Sequence, residues 1–119
     1  DAIDLARRID AGVCMEVNAC WTERDLAGTI AAGIDRIALV QVSDFRVGTV
    51  ASSQRLVPGD GDIPLDRIVD TLLAAGYSGS FELELIGDAI TEEGYDAAVP
   101  RAVAWLDRLL TDREPLRPT

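Results

Sequence analysis

Apolar residues recur along the chain with two different periods. Leu65, Ile68, Val69, Leu72 and Leu73 fall at i, i+3, i+4, i+7 and i+8, the stripe of an amphipathic helix. Pro64 stands where a first turn tolerates proline, Asp62 is a nearby capping candidate, and Gly76 stops the helix. Residues 80–86 read as a short strand between Gly79 and Gly87. A last helix is expected near 99–110, with Val99, Ala102, Val103, Leu106 and Leu110 on one face and Pro100 in its first turn. The N-terminal half repeats the scheme. Residues 13–17 form an apolar strand. Thr22 with Asp25 three residues on is a capping box, and Trp21 against Leu26 a hydrophobic staple, for a helix ending at Gly33. Residues 36–43 form a second strand, apolar almost throughout, as strands covered on both faces are. A loop of turn formers follows from Asp44 to Asp62. With residues 2–9 as a leading helix, the order is α-β-α-β-α-β-α, which implies a parallel sheet with right-handed crossovers.

Three strands do not close a barrel, and a (β/α)8 barrel needs about 250 residues. At 119 residues the chain is about half of one. The predicted fold class is therefore α/β: parallel (β/α) units forming roughly the C-terminal half of a TIM barrel. Residues 1–119 make one partial domain of about three βα units plus the leading helix, with a polar tail at 112–119. The remaining strands are expected from a missing N-terminal half or a partner chain, and a homo-oligomer is one option. A first residue Asp1, rather than Met, points to a processed, cut or partial chain.

Composition narrows the chemistry. The chain holds 21 acidic residues and 11 basic ones, all arginine, for a net charge of −10, and it has no histidine or lysine. A Ser-His-Asp triad, a Cys-His pair, an imidazole zinc site and a Schiff-base lysine are all excluded within it. Excess acid opposes binding to nucleic acid and to anionic membranes, and it serves solubility. Cys14 and Cys20 match no zinc motif. They fit a reduced, cytoplasmic compartment, with Cys14 expected as a small core residue. No apolar run approaches the roughly 20 residues of a membrane span, and the first residues are not a signal peptide.

Alternation along a strand decides which polar residues share a surface. Cys14, Glu16 and Asn18 are expected on one face of the first strand, Ile37, Leu39, Gln41 and Ser43 on one face of the second, and Glu82 and Glu84 on one face of the third. The opposite faces are wholly apolar and are assigned to the covering helices. Glu16, Gln41 and Glu84 thus stand towards the strands' C-terminal ends, where parallel α/β folds place their active sites. Buried together, carboxylates need protons, arginines or a metal. Oxygen donors alone, with Gln41 offering its amide oxygen, favour Mn2+ or Mg2+. The alternative is a set of solvated acids at an exposed strand end.

Three segments extend the reading: CMEVNACW with ERDL, LVQVSDF with RLVPGDGDIPL, and GYSGSFELELIG. Together they span residues 13–87 and resemble the C-terminal half of the xylose isomerase-like TIM barrels, the sugar phosphate isomerase/epimerase group. The resemblance implies a divalent cation held by Glu, Asp, His and Glu. The Asp falls on Glu16, the His on Gln41 and the last Glu on Glu84, while the first Glu would lie upstream of Asp1. Gln at that position also occurs in barrels similar to the dehydroshikimate dehydratases. A His that many members carry three residues after the Asp is Ala19 here. Arg55 matches a loop arginine of the family and is expected either to face an anionic or polyol substrate or to pair with a loop acid. Arg46 is a weaker candidate of the same kind. Trp21 either walls the substrate pocket or packs, and Asp44 and Asp60 are either supporting partners or turn residues.

The implied activity is a metal-dependent isomerase or epimerase of a small sugar, sugar phosphate or keto-hydroxy substrate. It would act through an enediolate, with Glu84 as combined ligand and base and Glu16 as the second catalytic carboxylate. A lyase of the dehydratase kind and a non-catalytic half-barrel or assembly module are the alternatives, and the 119-residue piece alone is expected to be inactive. An AP-endonuclease-like role is disfavoured, because the histidine-rich zinc cluster is missing.

Overall fold

The computed structural model describes residues 1–113. Helix α1 (Ala2–Ile9) leads into strand β1 (Val13–Glu16), followed by a short helix α2 (Val17–Cys20) and helix α3 (Leu26–Gly33). Strand β2 (Ile37–Val42) comes after a single 3-10 turn, then helix α4 (Leu65–Ala74), strand β3 (Ser80–Leu83), and helices α5 (Asp88–Glu93) and α6 (Tyr95–Thr111). The strands lie in the order β1-β2-β3, and both pairings are parallel. The alternating units and the parallel sheet are those expected. Residues 114–119 of the expected polar tail lie outside the described residues, while Asp112 caps α6.

The apolar strand faces hold the core. Met15, Val40 and Val42 are buried with Val17, Ile30, Leu65, Ile68 and Leu72, so α3 and α4 cover the sheet as their stripes predict. A second cluster joins Val57 to Ile90, Ala98 and Ala102 beneath α5 and α6. The register of β1 slips by one residue between Val13 and Cys14, next to Gly12, where a Cβ would press on that of Ala38 at 2.9 Å. Among the described residues no helix is long and apolar enough to cross a membrane.

Several boundaries differ from the expectation, each for a local reason. Strand β1 stops at Glu16, because Val17 turns inward and starts α2; Asn18 therefore leaves the strand face and donates to Ser43 Oγ (3.0 Å) and to the Asp44 carbonyl (3.1 Å). Helix α3 is capped by Asp25 itself, whose carboxylate accepts from Gly28 N–H (3.3 Å), rather than by Thr22. Asp62 does not cap α4 but accepts from Val47 N–H (2.8 Å). Strand β3 ends at Leu83, although Glu84 N–H still donates to the Val42 carbonyl (3.0 Å) and continues the ladder by one bond.

Helix α6 starts four residues early, at Tyr95, and its inward stripe is Ala98, Ala102 and Leu106. Val99 and Val103 are exposed, since the small alanines let the helix approach on their own side. Cys14 is exposed rather than in the core, because it alternates with Met15, which takes the strand face packed on the core.

Candidate functional site

Parallel pairing brings the polar ends of the strands level. Glu16 lies opposite Gln41, and Gln41 opposite Glu82, so three polar side chains of one face stand in a row across the sheet. Gln41 Nε2 donates to Glu82 Oε1 at 2.9 Å, which leaves its amide oxygen as the unused end. Glu84 follows just beyond the end of β3, where the charge of Glu16 acts on its carboxyl. Glu16 and Gln41, expected to share one face, do stand side by side there, with Glu84 just past the end of β3, and Glu82 joins the row through Gln41.

Arg55 completes the group. Its Nη2 lies 2.5 Å from Glu16 Oε1, with the arginine side chain 11% exposed and the glutamate 27%. The partner is thus a strand-end glutamate rather than a loop acid. Three buried atoms here have no hydrogen-bond partner: Glu16 Oε1, Glu84 Oε2 and Arg55 Nε. The Arg55–Glu16 contact is therefore one of charge rather than an aligned fork. Burial pushes the Glu84 carboxyl above the usual carboxylate range, and the charge of Glu16 and its hydrogen bond add to this, against an opposing pull from Arg55. The Cys14 thiol is likewise pushed up, by burial first and then by Glu82, Glu16 and Glu84, which places it beside the same carboxylates.

The loop between β2 and α4 delivers Arg55, and a residue expected as a turn former organises that loop. Asp44 is 1% exposed. Its carboxylate accepts from four backbone N–H groups: Phe45 (2.9 Å), Gly59 (2.9 Å), Gly61 (2.9 Å) and Ile63 (3.1 Å). Its backbone pairs with Leu56 in both directions at 2.9 Å, one residue from Arg55, whose own N–H donates to the Ile86 carbonyl (3.0 Å). Gly87 makes that last contact possible: its φ is +118°, and a Cβ there would lie 2.9 Å from Arg55 N and Ser53 O. Asp60 forms a bidentate pair with Arg101 of α6 (2.7 and 2.8 Å), fixing the outer edge of the loop. Arg46 donates to the Asp60 carbonyl (2.8 Å) and so belongs to the loop's own bonding. Trp21 is half-buried against the core, the packing alternative. A half-open cavity of about 470 Å3 runs along the free edge of β1, lined by Ile3, Cys14, Met15, Glu16, Cys20 and Ile30.

Among the described residues no three Cys, Asp or Glu side chains come together closely enough to hold one metal ion. The donors available are two carboxylates, Glu16 and Glu84, and the Gln41 amide oxygen. By donor type they would suit a hard divalent cation: Glu84 Oε2 is buried without a hydrogen-bond partner, and three glutamates stand against one arginine.

Comparison with known proteins places this geometry. The family model of the xylose isomerase-like TIM barrel matches residues 1–109. No curated protein matches the chain. Among solved structures, a xylose isomerase domain protein from Alicyclobacillus acidocaldarius superposes with a TM-score of 0.78 at 22% identity, over 93% of this chain and 42% of its own. The IolI protein with a bound zinc atom gives 0.77 at 17% identity over the same shares. The protein SMc04130 from Sinorhizobium meliloti 1021 gives 0.74 at 24%, over 89% of this chain and 41% of its own. At these identities the likeness is one of fold, and the chain spans about two-fifths of these structures' length. The match over nearly the whole chain is decisive: it belongs to the xylose isomerase-like TIM-barrel family.

Proposed function

We propose that the barrel to which this chain contributes isomerises or epimerises a small sugar, sugar phosphate or keto-hydroxy compound by moving a proton next to a carbonyl, through an enediolate. The observation that carries this reading is the placement of the Glu16 and Glu84 carboxyls at the C-terminal ends of two parallel strands, with Glu16 Oε1 held by Arg55 and Glu84 Oε2 buried without a hydrogen-bond partner. A carboxyl pushed up by burial is a better proton acceptor near neutrality than a solvated one. Glu84 is therefore the base that takes the substrate proton, and Glu16 is the second acid–base group. Glu16, Gln41 and Glu84 would hold a divalent cation, Mn2+ or Mg2+ by donor type, whose chemistry when bound is to polarise a substrate carbonyl. The zinc atom in the IolI neighbour supports a divalent ion in this fold. Two free thiols, Cys14 and Cys20, support a reducing, cytoplasmic setting.

Deuterium wash-in tests the reading. The full natural polypeptide, incubated in D2O with a panel of ketoses and hydroxy-keto acids, is expected to place label beside the carbonyl of recovered substrate. Glu84→Gln should abolish the exchange. Loss of water with a new ultraviolet chromophore, in place of wash-in, would assign the lyase chemistry instead.

A further inference from the structure

We propose that Arg55 is an internal cation that competes with a divalent metal ion for Glu16, so that the site is closed by its own arginine until metal displaces it. The proposal rests on the reading above that Glu16 and Glu84 hold a cation. Backbone bonds fix where Arg55 starts: its N–H is tied to Ile86, and the next residue pairs with Asp44. From there the guanidinium reaches Glu16 Oε1 at 2.5 Å. The pairing is a single contact through Nη2 rather than a fork, since Arg55 Nε is buried without a hydrogen-bond partner. An arginine held for stability alone would present its fork, with two aligned N–H groups on one carboxylate, as Arg101 does on Asp60.

The oxygen cannot serve both cations well. A divalent ion sits about 2.1 Å from a carboxylate oxygen, which would bring it within about 4.6 Å of Arg55 Nη2. The guanidinium must then leave or bind more weakly. Leaving gives up a close ion pair, which a cation of higher charge on the same carboxylate offsets. The anionic excess of Glu16, Glu82 and Glu84 favours the ion of higher charge. Once displaced, the guanidinium is a free donor beside the site, so that cation binding would precede engagement of a substrate oxygen by Arg55.

Calorimetric titration with Mn2+ and side-chain NMR test this on the full natural polypeptide, with melting curves confirming that each variant folds. Arg55→Gln is expected to bind Mn2+ roughly tenfold more tightly than the wild type, and Glu84→Gln more weakly. In the wild type, saturation with diamagnetic Mg2+ is expected to shift the Arg55 Nε–H resonance, identified by its loss in Arg55→Lys. Equal or weaker Mn2+ binding by Arg55→Gln, or an Arg55 resonance indifferent to Mg2+ in a wild type that binds it, overturns the competition and leaves the cation reading standing. Failure of wild type and Arg55→Gln alike to bind Mn2+ at millimolar concentration overturns the cation reading, and the competition with it.

Discussion

Asp44→Asn is the sharpest perturbation of the site's frame. The wild-type carboxylate is buried and divides its four donors evenly: Oδ1 accepts from Phe45 and Ile63, and Oδ2 from Gly59 and Gly61. An amide keeps one oxygen. Whichever way it turns, two backbone N–H groups lose a charged acceptor and face an NH2 instead. A hydrogen bond to a charged group is worth about 1.5–3 kcal/mol, so the loss of two costs about 4 kcal/mol. For a domain of this size, where 1 kcal/mol moves the melting temperature by about 4 °C, the drop should be about 16 °C. Urea and thermal unfolding followed by circular dichroism read the global figure. Hydrogen exchange at Gly59, Gly61 and Ile63 reads the local one, and protection there should fall first. Asp62→Asn is the control, because exposed Asp62 takes a single N–H, that of Val47; it should change stability by about 0.5 kcal/mol or less. An Asp44→Asn protein within about 1 kcal/mol of the wild type would refute the reasoning.

Two further outcomes follow from the same geometry. Gly61→Ala puts a methyl into the Asp44 carboxylate and the Phe45 carbonyl; it should cost about 1–3 kcal/mol, read by denaturant unfolding, and a neutral result would mean the loop is looser than described. Glu84 binds its proton more tightly folded than unfolded, because burial raises its affinity. Its contribution is therefore most favourable in acid and is lost as pH rises from the ordinary carboxylate range through the raised folded value. Metal-free Glu84→Gln should gain stability on the wild type as pH climbs from about 4 to 7. A stability difference that stays flat across that range contradicts the assignment.

The fold was readable wherever burial follows a period. Leu65, Ile68, Val69 and Leu72 are buried as their spacing predicts, and so are Val40 and Val42 on the face of β2 assigned to the helices. Periodicity fails where small residues do the packing. In α6, Val99 and Val103 carry more hydrophobic weight than Ala98 and Ala102, yet the alanines face inward, because a close helix approach rewards small side chains over large ones. Local signals also compete. Thr22 and Asp25 form a plausible capping box, but Trp21 and Leu26 both pack on the core, and the turn they bracket leaves Asp25 to cap α3.

The site divides along the same line between local and distant causes. Alternation placed Glu16, Gln41, Glu82 and Glu84 on one face because parity is a property of each strand alone, and parallel pairing then brought them level. What Arg55 and Asp44 do depends on contacts across tens of residues. Arg55 reaches back 39 positions to Glu16, and nothing in its neighbours' types distinguishes that partner from a loop acid. Asp44 lies at the end of an apolar strand and ahead of PGDGDI, a stretch whose glycines leave N–H groups free to point inward. An aspartate there reads as a turn residue until the loop is seen to wrap around it. The pairing of a strand-end acid with a glycine-rich segment some fifteen residues later is the one signal that could have exposed the wrapping. The same consideration explains Glu16. With one methylene more than the aspartate that the family resemblance sets at this position, its carboxyl meets Arg55 at the strand end.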